Sequence, residues 1–150
     1  MRILIVDEDV KFAENFKASL LDLGYESDSA ADYSTALEIF REKKHAVVVT
    51  DHNVAKLNAI ELMKSLREIN AKVLVIIASA NIDIESACDA VNYRANAMYN
   101  RKCELRDMLI LLEAANLKVH PTGDLQMQHS KLAFEYAKLK LAYDDLRGAN

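Results

Sequence analysis

Five side chains suited to phosphoryl chemistry stand at or just past the ends of short apolar runs. Asp7 and Glu8 follow Ile3 to Val6, Asp51 follows Ala46 to Thr50, Ser79 follows Val73 to Ala78, and Lys102 follows Met98 to Asn100. If these runs are neighbouring strands of one sheet, their carboxylates converge, and like-charge repulsion then asks for a cation between them. Oxygen donors without accompanying His or Cys suit Mg²⁺, which keeps several waters and takes one or two carboxylates plus phosphate oxygens. A carboxylate nucleophile, a divalent cation, a lysine and a hydroxyl donor are the parts that in-line phosphoryl transfer to an aspartate needs. That chemistry is mainly positioning and charge stabilisation.

The elements that must position these groups follow from periodicity. Three runs are continuously apolar and rich in β-branched residues, the pattern of strands buried on both faces of a parallel sheet. Glu26 to Ala30 and Met98 to Asn100 complete a set of five strands. Between them, Phe12, Phe16, Leu20 and Leu23, then Ala36, Leu37 and Phe40, then Ile60, Met63, Leu66 and Ile69 recur at helical spacing. Further helices are predicted from Ile84 to Tyr93 and from Glu104 to about Asn116, the latter with Leu105, Met108, Leu109 and Leu112 facing in. Gly24 stands where a left-handed C-cap residue is wanted, and Asn58 with Glu61 resembles a capping box. The order is (βα)₅. Right-handed crossovers make it an α/β, doubly wound, flavodoxin-like sheet of order 2-1-3-4-5, with ligands at the carboxyl ends of the strands.

Bulk composition narrows the function classes. The chain has 150 residues, 51% of them hydrophobic, which suffices for one domain plus an appendage. Nineteen basic and 23 acidic residues leave a charge of −4 with no basic block, so direct nucleic-acid contact is not expected. No apolar run reaches the ~20 residues of a membrane span. The acidic start MRILIVDED does not resemble a signal peptide, and two cysteines without metal spacing read as reduced thiols, so a cytoplasmic location is expected. A nucleotide- or flavin-binding enzyme on this fold would want a glycine-rich phosphate loop, whereas the turn after the first strand is Asp7-Glu8-Asp9.

These residues together resemble the receiver domain of two-component response regulators, over residues 1 to about 117. The resemblance implies that Asp51, in VVVTDHN, is the phosphoacceptor. It implies that Mg²⁺ is held by Glu8, Asp51 and the main-chain carbonyl of Asn53, with Asp7 acting through water. Ser79, in VIIASAN, matches the switch hydroxyl, Tyr99 the switch aromatic, and Lys102, in MYNRKC, the essential lysine. The implied function is a phosphorelay switch rather than an enzyme with substrate turnover. A histidine kinase or phosphotransfer protein donates to Asp51, and a downstream protein partner reads the face made by the fourth helix, fifth strand and fifth helix. The alternative is a degenerate pseudo-receiver acting as a constitutive dimerisation or adaptor module.

The chain departs from the family pattern at four places. Cys103 follows Lys102 where proline is usual, and a non-proline cis bond there would cost ~3 kcal/mol. Ala55 and Ala59 replace a proline and a glycine after Asp51, predicting a differently shaped loop before the third helix. Ala95 stands where glycine is common. His45 and His52 have no soft ligand nearby in sequence and read as surface histidines without a role; Cys88 reads as core or half-buried, and Cys103 as partly exposed.

Residues 118–125 hold the one proline and read as a linker, and 126–150 as an amphipathic helical tail. Leu125, His129, Leu132, Tyr136, Leu139, Tyr143 and Leu146 alternate at spacings of four and three, a heptad rhythm consistent with a homodimer through the tail. A fold-back onto the receiver, or a link to a missing output domain, gives the same stripe. The chain is then either a stand-alone receiver with a helical tail or a piece of something longer.

Overall fold

The computed structural model describes residues 1–54, 57–102, 105–119 and 148. The chain divides into two compact units, Met1–Met98 and Tyr99–Asn150. Five strands form one sheet: β1 (Arg2–Val6), β2 (Glu26–Ala30), β3 (Val47–Thr50), β6 (Leu74–Ser79) and β7 (Ala97–Asn100), in the order β2-β1-β3-β6-β7. The expected doubly wound order is therefore present. The strand count is raised only by β4 (Asn53–Val54) and β5 (Leu57–Asn58), a short antiparallel pair between Asp51 and the third helix. Two-residue strands have no periodicity to announce them. They occupy the segment where Ala55 and Ala59 replace the usual turn residues.

The central strands are mainly apolar because helices cover both faces. All four residues of β3 are buried, as are Leu4, Val6, Val48 and Val75 on one face of the sheet. Helices α2 (Tyr33–Lys43) and α3 (Ala59–Ile69) bring Ala36, Phe40, Met63 and Leu66 to that face. Helix α1 (Val10–Asp22) turns Ala13, Phe16 and Leu20 inward. In the second unit, α5 (Leu105–Val119) buries Met108, Leu111 and Leu112. It runs two residues into the expected linker, since nothing before Pro121 breaks it. Of the tail, only Gly148 lies within the described residues.

Local signals fix the helix ends. Asp9 caps α1 by accepting from Phe12 N–H at 3.0 Å, and Asp32 caps α2 by accepting from Thr35 N–H at 2.9 Å. At the end of α1, Gly24 adopts φ +80°, its N–H donates to Leu21 O, and Tyr25 N–H donates to Leu20 O, both at 2.9 Å. That is the Schellman pattern the glycine predicts. Asn58 caps α3 by accepting from Ile60 and Glu61 N–H, one half of the expected box.

Helix α4 (Ile84–Asn92) ends the same way without a glycine. Arg94 takes φ +60°, donating to Val91 O, while Ala95 N–H donates to Ala90 O. The strained turn is gripped by α3: Arg67 donates through its two terminal guanidinium nitrogens, Nη1 and Nη2, to the carbonyls of Tyr93 and Arg94, and Lys64 lies 5.0 Å from the Tyr93 ring centre. Where the family commonly places glycine, Ala95 is ordinary backbone; the left-handed residue is its neighbour Arg94.

Two expectations are corrected. Cys88 is exposed, because α4 turns the small Ala90 inward and leaves Ile84, Cys88 and Val91 on its outer face. His45 is fully buried rather than on the surface: its Nε2 lies 2.9 Å from Asp28 Oδ2 and its ring stacks on Phe40.

Candidate phosphoacceptor cleft

Strand pairing brings the acids together. β1 and β3 run parallel with Val6 opposite Thr50, and Asp51 N–H donates to Val6 O at 3.0 Å, so Asp7 and Asp51 leave adjacent strand ends side by side. Asp7 is buried, its N–H bound to Ala30 O and its Oδ1 accepting from Asp9 N–H at 2.8 Å. Glu8 is exposed at the same edge. Asp51 is half-buried, and its Oδ1 accepts from His52 N–H at 2.7 Å.

A cleft of about 400 Å³ opens over Asp51, lined by His52, Asn53, Ser79, Asn81, Asp83 and Asp89 among others. Thus Asp51, Asn53 and Ser79, three of the sequence-predicted residues, share one cavity. Ser79 lies at the end of β6 and is buried. Its hydroxyl donates to Asn81 O at 3.2 Å and accepts from Asn81 N–H at 3.3 Å, a tight turn just before α4. Asn53 is exposed in β4.

Tyr99 and Lys102 belong to the second unit. Tyr99 is buried within β7, and Lys102 is exposed in the turn after it, its N–H donating to Asn100 Oδ1 at 3.0 Å. Cys103 lies outside the described residues.

Among the described residues no group of three or more His, Cys, Asp or Glu side chains is assembled to hold a metal. The donor set nonetheless fits Mg²⁺. A buried carboxylate beside a second strand-end carboxylate is unfavourable without a positive charge, and Mg²⁺ asks for only one or two protein carboxylates, completing its shell with carbonyls, waters and phosphate oxygens. His52, which the sequence alone leaves without a role, donates its N–H to Asp51 Oδ1 and lines the cleft. Its place directly after the strand-end aspartate was the available signal.

A family model described as the response regulator receiver domain matches residues 3–113. The chain belongs to this family. It is 32% identical over 89 residues to the transcriptional regulatory protein ZraR of Klebsiella oxytoca, covering 59% of this chain and 20% of that protein. A receiver domain structure from Clostridium thermocellum superposes with a TM-score of 0.71 at 26% identity, covering 76% of this chain and 92% of that one. A two-component response regulator structure from Clostridium difficile gives 0.75 at 17% identity, covering 80% and 98%, and speaks to the fold alone. The chain spans about a fifth of the Klebsiella relative, so that protein's other activities do not transfer with the match. As a receiver domain, this chain is of the class that acts as a signalling switch. No helix among its described residues is long and apolar enough to cross a membrane.

Proposed function

We propose that this receiver is a phosphoacceptor switch in which Asp51 takes a phosphoryl group from a histidine kinase or phosphotransfer protein. The observation that carries the reading is the position of Asp51: at the carboxyl end of β3, beside buried Asp7, in a cleft it shares with Ser79. Parallel α/β sheets bind their ligands at this edge. Glu8, Asp51 and the main-chain carbonyl of Asn53 would hold Mg²⁺, with Asp7 acting through water. When bound, the ion neutralises the carboxylates and the phosphoryl oxygens.

The chain's own residues do the rest. His52 N–H holds one carboxylate oxygen in place. Ser79 exchanges its bonds to Asn81 for a phosphoryl oxygen, which alters the loop leading into α4. Lys102 is assigned to a phosphoryl oxygen and Tyr99 to the switch, as the family resemblance implies. The output is altered binding of a downstream protein, not substrate turnover, in the cytoplasm. The charge of −4 argues against direct DNA contact by this stretch, and the heptad rhythm of residues 125–146 supports self-association through the tail.

The test is intact-mass spectrometry after incubation with Mg²⁺ and acetyl phosphate. One phosphoryl adduct on the wild type, absent from Asp51→Asn, is expected. A wild type with Mg²⁺ bound and no adduct overturns the reading.

A further inference from the structure

Thr50 is the one polar residue of β3, following Val47, Val48 and Val49, and it is as buried as they are. Its register partners are Val6 on β1 and Ile77 on β6, so its surroundings in the sheet are apolar. A fourth valine would fill nearly the same volume, and a hydroxyl is unfavourable in such a place unless it is hydrogen-bonded. The bond it makes is specific: Thr50 Oγ1 donates to Asp51 O at 3.0 Å.

That carbonyl belongs to the peptide unit joining Asp51 to His52. The N–H of the same unit donates to Asp51 Oδ1 at 2.7 Å. A peptide unit is planar, so fixing its carbonyl direction fixes its N–H direction. The plane is thus held at one end by the Thr50 hydroxyl, and at the other it holds the Asp51 carboxylate.

We propose that Thr50 is a positioning residue for phosphoryl transfer, setting the Asp51–His52 peptide plane so that the His52 amide, held on Asp51 Oδ1, fixes the orientation in which the carboxylate attacks. The inference rests on the phosphoacceptor reading of Asp51. In the step it serves, a carboxylate oxygen of Asp51 forms a bond to phosphorus while the bond from phosphorus to the donor's leaving atom breaks. The bonding pair departs with the leaving group, acetate when the donor is acetyl phosphate. The ionised carboxylate has no proton to lose. Thr50 touches neither donor nor phosphorus and acts through the peptide plane alone.

The experiment compares full-length wild type, Thr50→Val and Thr50→Ser with Mg²⁺ and acetyl phosphate, separating the maximal phosphorylation rate from the half-saturating donor concentration. Misplacing a reacting group by a fraction of an ångström lowers the maximal rate, and about a ten-fold loss is expected for Thr50→Val with half-saturation little changed. Thr50→Ser, which keeps the hydroxyl, restores the rate to within about two-fold. The His52 amide resonance moves in Thr50→Val and not in Thr50→Ser. Wild-type rate and an unmoved His52 amide in Thr50→Val overturn the proposal. Should Thr50→Val fail to fold, hydrogen exchange on the wild type decides: a slowly exchanging His52 amide supports the held plane, and a fast one overturns it. If the wild type accepts no phosphoryl group, the phosphoacceptor reading falls, while the His52 resonance still decides whether Thr50 holds the plane.

Discussion

His45 Nε2, in the connection from α2 to β3, and Asp28 Oδ2 of β2 lie 2.9 Å apart, with the His45 ring fully buried and its Nδ1 without a hydrogen-bond partner. Burial pushes the His45 pKa below its ordinary value, and the bond and charge of Asp28 offset this only in part; Arg2 and Lys43 push the same way as burial. For Asp28, burial favours the neutral form, but hydrogen bonds from Lys43 and His45 hold its carboxyl below the usual range. A depressed histidine pKa means that the unfolded chain binds the extra proton first. Stability is therefore complete above the unfolded value near ~6.5 and falls as pH drops through it. The Asp28 contribution persists until pH falls below ~4. Thermal midpoints measured from pH 7.5 to 5.5 should decline in the wild type and decline less in His45→Gln. Equal slopes would remove His45 as the cause.

Glu8→Gln should weaken Mg²⁺ binding several-fold while leaving the fold intact, because Glu8 is exposed and the amide is nearly isosteric with the carboxylate. Titration of Mg²⁺, followed by fluorescence or calorimetry, checks this. Unchanged affinity would take Glu8 out of the metal set.

Ser79→Ala and Tyr99→Ala should still accept the phosphoryl group yet lose much of its effect on partner affinity. A modification shifts a two-state equilibrium only by its differential interaction with the two states, and these side chains are assigned to supply that difference. Partner affinity with and without phosphorylation is the measurement, and a full wild-type gain in both variants counts against their switch role.

Arg67→Ala should cost roughly 1–2 kcal/mol, since two carbonyls at the end of α4 lose a charged donor at a partly exposed site. Urea unfolding gives the number. Hydrogen exchange should speed up at Tyr93 to Ala95 before it does elsewhere; uniform protection there would mean that Arg67 is not holding the turn.

Sedimentation of the full chain and of a version ending at Val119 tests the heptad rhythm of residues 125–146. A dimer at tens of micromolar that becomes monomeric on truncation is expected, because an isolated helix of this length is marginal without a partner surface. Two monomers would refute self-association.

Much of the fold was legible because strands buried on both faces announce themselves as unbroken apolar runs, and strand ends in turn locate Asp7, Asp51 and Ser79. The caps at Asp9 and Asp32 carry the ordinary N-cap signal, an aspartate just before a helical stretch. Other features depend on partners distant in sequence. The burial of His45 is decided by Asp28, seventeen positions away, and by the Phe40 ring. The exposure of Cys88 follows from α4 packing through small Ala90, which reverses the usual inference from side-chain size. The role of Thr50 was hidden for a related reason: a lone hydroxyl in a valine strand looks like tolerated variation until its acceptor is seen.

The grip of Arg67 on Tyr93 and Arg94 has a mechanical consequence. Helix α4 is clamped to α3 where it ends, and it begins just beyond the Ser79–Asn81 turn at the cleft. The clamped end is tied through Tyr93 and Arg94, while the end nearest the Ser79 turn carries Ile84, a large apolar side chain that is 84% exposed. Among the described residues, the most exposed large apolar side chain therefore stands at the end of α4 nearest the cleft, so a change in the Ser79 turn lies beside the stickiest part of the helix's outer surface.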